Sequence, residues 1–122
     1  MKYLLIMHNN PAVLSKLNED QMKEIGDGHQ RFIDAVRASG ELVDSVALAQ
    51  PTESAVVRVR DGAKVVTDGP YIESKEFLGG YYLLECASQE RAHELAATIP
   101  DANIDGMGVE VRPVIFFFGS DN

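Results

Sequence analysis

The sequence predicts an α+β fold, a ferredoxin-like sandwich in which an antiparallel sheet carries both helices on one face and a β-hairpin is inserted. Three observations lead there. Apolar runs of strand length outnumber the two stretches of helical periodicity. Those two helices are separated by most of the strands. The signals follow the order β-α-β, hairpin, β-α-β along the chain.

Tyr3–Met7 is a continuous apolar run, the pattern of a strand buried on both faces, and His8, Asn9, Asn10 and Pro11 end it. Pro11–Leu17 reads as a loop with room for a helical turn. Asn18 caps the first long helix, and Glu19, Asp20 and Glu24 sit in its first turns, where acids favour the helix dipole. Met22, Ile25, His29, Phe32, Ile33 and Val36 then recur on one helical face until Gly40 closes the helix near Ser39. Glu41–Ala49 reads as a strand bent near Asp44 and Ser45, and Gln50–Ser54 connects onward. Ala55–Arg60 and Lys64–Thr67 flank Asp61-Gly62, a strong two-residue hairpin signal. Gly69 and Pro70 end the second hairpin strand, because glycine admits unusual backbone angles and proline offers no N–H to a ladder. Gly79-Gly80 leads into a strand at Tyr81–Ala87, and Ser88 caps a helix over Gln89–Thr98 that Pro100 stops. Val109–Phe118 is the last strand expected.

A sheet covered on one face only should alternate apolar and polar residues. Tyr3–Met7, Tyr81–Leu84 and Val114–Phe118 do not, and no third long helix is available to cover their second face. Each additional Leu or Phe buried is worth about 1.5–3 kcal/mol. Packing two sheets face to face, one from each subunit, accounts for the pattern, so a two-fold homodimer is expected.

At 122 residues the chain is expected to form one domain, residues 1–122, with room for one core. The net charge of −8 argues against nucleic acid and against anionic membranes, since both need basic surface. One cysteine, Cys86, excludes an internal disulfide and fits a reducing cytoplasm. The apolar run at Tyr3–Met7 is too brief for a signal peptide or a membrane span. The histidines His8, His29 and His93 show no metal-ligand spacing, and no glycine-rich phosphate loop follows a strand. No metal and no cofactor are expected.

The segment Thr67–Glu76 carries more ionisable and aromatic groups than a turn requires. His29 has two readings, a core histidine bonded to a carbonyl or a general acid/base oriented by a carboxylate. Asp68 likewise either caps the Gly-Pro turn or is that carboxylate. Tyr71 either packs or donates to an anionic intermediate. Lys75 either pairs with Glu76 or holds a substrate carboxylate. His8, on the side of Leu4 and Ile6, is a further candidate for ligand contact.

With those residues in view, the chain resembles the YCII-related family, in its DGPF branch. The likeness runs through Lys2–Ile6, His29 with Phe32, Val57–Gly62 and Thr67-Asp68-Gly69-Pro70. It continues through Lys75-Glu76, Leu78–Tyr82 and Val109–Val114. Where that branch has Phe-Ala-Glu-Thr-Lys-Glu, this chain has Tyr71-Ile72-Glu73-Ser74-Lys75-Glu76. The resemblance implies a dimeric α+β barrel and a His–Asp site, with His29 as its histidine and Asp68 as its aspartate. It also implies two kinds of function. One is a cofactor-free lyase or isomerase, since one relative resembles a dehydrochlorinase acting on hydroxylated aromatics. The other is a ligand-binding or regulatory module, since some such domains are associated with sigma factors.

Overall fold

A computed structural model describes residues 1–71 and 74–119. The first strand, β1 (Lys2–Asn9), leads through a short helix, α1 (Pro11–Leu14), into the long helix α2 (Glu19–Ala38). Next come β2 (Leu42–Ala47) and a hairpin of β3 (Ala55–Arg60) and β4 (Ala63–Asp68). The chain ends with β5 (Phe77–Glu85), α3 (Gln89–Ala97), a 3-10 turn at Pro100–Asn103 and β6 (Gly108–Pro113). Four strands form one antiparallel sheet in the order β2-β5-β1-β6, and β3-β4 stand as a separate ribbon. This is the ferredoxin-like α+β arrangement, with the ribbon inserted between the second and third strands of the sheet.

Asn18 starts α2 through a reciprocal cap, accepting from the Gln21 N–H while the Gln21 side chain accepts from its own backbone. Both long helices cover the same face of the sheet. Phe32 and Val36 of α2, and Ala92, Leu95 and Ala96 of α3, join Tyr3, Leu5, Met7, Tyr82 and Leu84 in one core. Leu5, Leu84, Ile99 and Val36 are fully buried there, each stabilising the fold by about 1.5–3 kcal/mol. Arg91 of α3 ties that helix to the start of β2 by two parallel bonds to Glu41, at 3.0 and 2.9 Å.

The opposite face carries Lys2, Leu4, Ile6 and His8 of β1 beside Tyr81 and Leu83 of β5. Of the non-alternating stretch Tyr81–Leu84, Tyr82 and Leu84 lie under the helices, while Tyr81 and Leu83 face the other way, Leu83 buried all the same. The last strand stops at Pro113 rather than running to Phe118. Proline donates nothing to a ladder, and after one bond from the Val114 N–H to the Lys2 carbonyl the chain leaves the sheet. Phe117 then lies 4.8 Å from the Lys2 ammonium, while Ile115, Phe116 and Phe118 stay exposed. The strand expected to begin at Tyr81 begins at Phe77, so Gly79 and Gly80 lie within it, and Gly79 is the extra residue of a bulge that faces Met7 and His8. The Asp61-Gly62 turn has positive φ at both residues, 52° and 76°, as a tight two-residue hairpin requires. Among the described residues no helix is long and apolar enough to cross a membrane.

Candidate functional site

The helix face of the sheet brings four polar side chains into one chain of hydrogen bonds. His29 Nε2 lies 2.7 Å from Asp101 Oδ1, and His29 Nδ1 lies 2.7 Å from the Tyr82 hydroxyl. Asn9 Nδ2 donates to Asp101 Oδ2 at 2.6 Å. The four come from α2, the 3-10 turn after α3, β5 and the end of β1, respectively.

Two glycines make this assembly possible. Gly28, just before His29, sits so close to the Pro100 ring that a Cβ would collide with it. Without that side chain the Pro100 turn settles against α2, and the next residue, Asp101, reaches the His29 ring. Gly79 faces Asn9 across the sheet, and a Cβ there would overlap the Asn9 carboxamide. Its absence leaves Asn9 free to point toward Asp101. Tyr82 is held from the other side by Phe32, whose ring centroid is 4.6 Å away, and the His29 ring stacks at 5.9 Å and 28°.

Asp101 is 4% exposed, the only charged residue in the buried set of the described residues. Burial alone pushes its carboxyl up, but the bonds from His29 and Asn9 together outweigh that and hold it below the ordinary aspartate value. Burial, with the Asp101 charge second, pushes the Tyr82 phenol up to about 12. Asp101 is therefore an anion and Tyr82 a neutral phenol at neutral pH.

The network opens onto a cavity of about 310 Å3. Its polar lining is Asn9, His29, Ser45, Tyr82 and Asp101, and Met7, Ile33 and Val46 supply apolar wall. His29 keeps part of its ring exposed to this space, with its side chain 24% accessible.

The expected site residues separate. His29 is where the sequence pointed, on the inner face of α2 and beside a carboxylate. That carboxylate is Asp101 and not Asp68, which sits exposed at the end of β4 in the ribbon, pairing in register with Ala55. His8 lies on the other face of the sheet, 2.8 Å from Glu110. Tyr71 is 71% exposed, with the Arg58 guanidinium 5.4 Å from its ring. His8 and Tyr71 border a second groove of about 760 Å3, together with Pro51, Pro70 and Leu78, on the side away from His29. Lys75 is exposed and lines neither space. Ile72 and Glu73 lie outside the described residues. Among the described residues no group of three or more His, Cys, Asp or Glu is placed to hold a metal. Cys86 is buried, and burial pushes its thiol up, away from reactivity.

Sequence reasoning did not single out Asp101, Tyr82 or Asn9. Asp101 looked like a loop residue behind a helix-stopping proline, and Asn9 like part of a strand end. The one local signal was that Tyr82 is a strand residue of the same parity as Leu84, and so carries a hydroxyl into an apolar layer.

Together, the fold and site define a small α+β domain that holds a buried carboxylate–imidazole pair at the mouth of a cavity. The chain belongs to the YCII-related domain family, whose family model matches residues 1–117. It is similar to "Uncharacterized protein R00369" of Rhizobium meliloti (strain 1021). The two are 30% identical over 121 residues, spanning 96% of this chain and 94% of that protein.

Proposed function

We propose that the cavity beside His29 binds a small polar or aromatic metabolite, and that the protein is a cofactor-independent lyase or isomerase using a His–Asp acid/base pair. The observation that carries this is the 2.7 Å contact between His29 and a buried, ionised Asp101 next to open space. A carboxylate so placed fixes the tautomer of the ring and stabilises the imidazolium formed when it takes a proton. His29 is the acid/base, and the orienting role assigned to Asp68 from sequence passes to Asp101. His8 and Tyr71 are candidates for ligand contact only through the second groove.

A screen of metabolites by thermal shift tests the reading, because a ligand stabilises the state it binds, by about 2.7 kcal/mol at a hundred times its Kd. Stabilising compounds are then incubated with the protein and assayed for a product. Conversion by wild type that His29→Ala abolishes is the expected result. A compound that shifts wild type and is never converted supports the second reading, a ligand-binding or regulatory module. That reading has its own support, since both nitrogens of His29 are already engaged. The enzymatic reading falls if conversion survives in His29→Ala.

We also propose a cytoplasmic homodimer built through the sheet face that carries Leu4, Ile6, Tyr81 and Leu83. The exposed valines of the ribbon (Val57, Val59 and Val66), together with Ile115, Phe116 and Phe118, add apolar surface for such a contact. A two-stranded ribbon is marginal alone in water, so a partner would stabilise it. Light scattering at micromolar concentration should give about twice the chain mass of 13.4 kDa. A monomer there overturns the dimer.

A further inference from the structure

The network has a direction. Asp101 is ionised and accepts on both oxygens, so the proton between it and His29 belongs to Nε2. In the neutral ring the lone pair is then on Nδ1, and the Tyr82 O–H donates into it. Every polar hydrogen in the chain points toward Asp101. Tyr82, 3% exposed, lines the cavity, and its oxygen has lone pairs alone to offer a ligand there. Neither nitrogen of His29 is available to a ligand unless Tyr82 first lets go. Among the described residues that line the cavity there is no lysine and no arginine, so these offer no fixed cation to a carboxylate or phosphate.

We infer that Tyr82 is the catalytic residue that meets the ligand: its oxygen takes a proton from a hydroxyl of an uncharged molecule while its own proton passes to His29 Nδ1. This rests on the acid/base pair proposed above and deepens it. The balance is simple. The ligand O–H bond breaks as a new Tyr82 O–H forms, and the old Tyr82 O–H breaks as Nδ1–H forms. The ligand becomes an oxyanion, His29 becomes an imidazolium, and Asp101 holds that cation through Nε2. Tyr82 is a neutral phenol before and after. With its phenol pushed up to about 12, a free tyrosinate is disfavoured, and a concerted relay does not form one. Asn9 is a positioning residue: its bond to Oδ2 keeps Oδ1 of Asp101 turned toward the imidazole. The substrate class is thus an uncharged alcohol, phenol or enol, and the reaction begins with loss of its hydroxyl proton.

The test uses para-nitrophenol, whose phenolate is yellow, and its methyl ether para-nitroanisole, which has no proton to give. Wild type, Tyr82→Phe and His29→Ala are each saturated with either probe at a pH below the ionisation of the free phenol. Wild type should bind both and show the phenolate band with the phenol. Tyr82→Phe keeps the ring that packs on Phe32, should bind the ether as wild type does, and should lose about tenfold of the phenolate signal. Tyr82→Phe showing the full band would mean that His29 takes the proton directly, and the relay would be wrong. A wild type that binds the phenol without ionising it overturns the relay as well. Failure of both probes to bind at millimolar concentration, or a full band in His29→Ala, counts instead against the underlying reading of the cavity and its acid/base pair.

Discussion

Replacing Asp101 by asparagine removes the charge at the centre of the network and one of its two acceptors. In wild type, Oδ1 accepts from His29 at 2.7 Å and Oδ2 accepts from Asn9 at 2.6 Å. The new amide group must face one of those two donors, and with the residue 4% exposed, water does not readily replace the lost acceptor. A buried donor without a partner costs about 1–3 kcal/mol, and a bond to a charged group is worth about 1.5–3 kcal/mol. Asn9 recovers part of this by turning its carboxamide over, so the expected net loss is about 2 kcal/mol. With a urea dependence of about 2 kcal/mol per molar, the unfolding midpoint should fall by about 1 M. The chain has no tryptophan, so unfolding is followed by far-ultraviolet circular dichroism. Asp68→Asn is the control: its side chain is exposed, and its cost should stay within about 0.5 kcal/mol. Equal midpoints for the two variants would refute the assignment of Asp101 as the partner of His29. The pH dependence follows from the same contact. The folded protein holds the Asp101 carboxyl below its ordinary value and so binds its proton less readily than the unfolded chain does. Its contribution is complete above the unfolded value of about 3.9 and is lost as pH falls through the lower folded value. The gap between wild type and Asp101→Asn should therefore be full at neutral pH and close below about pH 4.

Three further predictions concern the residues that shape the site. Gly79→Ala places a methyl on the Asn9 carboxamide and should destabilise the protein by about 1–3 kcal/mol, with much of that recovered when Asn9→Ala is added; additive losses in the double-mutant cycle would show that the two do not interact. Gly28→Ala should push the Pro100 turn away from α2 and lengthen the His29–Asp101 contact, seen as a change in the Nε2–H signal by NMR; an unchanged signal would mean that the turn does not depend on the missing Cβ. Arg91→Lys keeps the charge but loses the two-pronged contact that helps hold Glu41 below its ordinary value. It should lower the urea midpoint measurably below that of wild type, and no loss would show that packing alone docks α3.

The architecture was legible because local patterns carry it. Alternation, helix caps and the Asp61-Gly62 turn each depend on a few neighbouring residues, and they set the order β-α-β, hairpin, β-α-β. Boundaries shifted where one residue served two ends. Gly79 and Gly80 resembled punctuation, yet they are strand residues whose missing side chains admit neighbours. Pro113 was placed inside the last strand, yet its missing N–H ends the ladder.

The site divides in the same way. His29 was readable as a polar residue on an apolar helix face, a local anomaly that one helical turn displays. Its carboxylate was not. Asp68 and Asp101 are both aspartates within two residues of a proline, and nothing in either segment says which reaches the ring. That choice is made across a separation of 72 positions in the chain, which folds so that the Pro100 turn lands against Gly28. Sequence by itself determined the class of fold, the helix face and the histidine, because each is a short-range property of the chain. Only the tertiary structure decided that Asp101, Tyr82 and Asn9 complete the site, because hydrogen bonds of 2.6–2.7 Å between side chains so far apart in sequence depend on how whole elements pack.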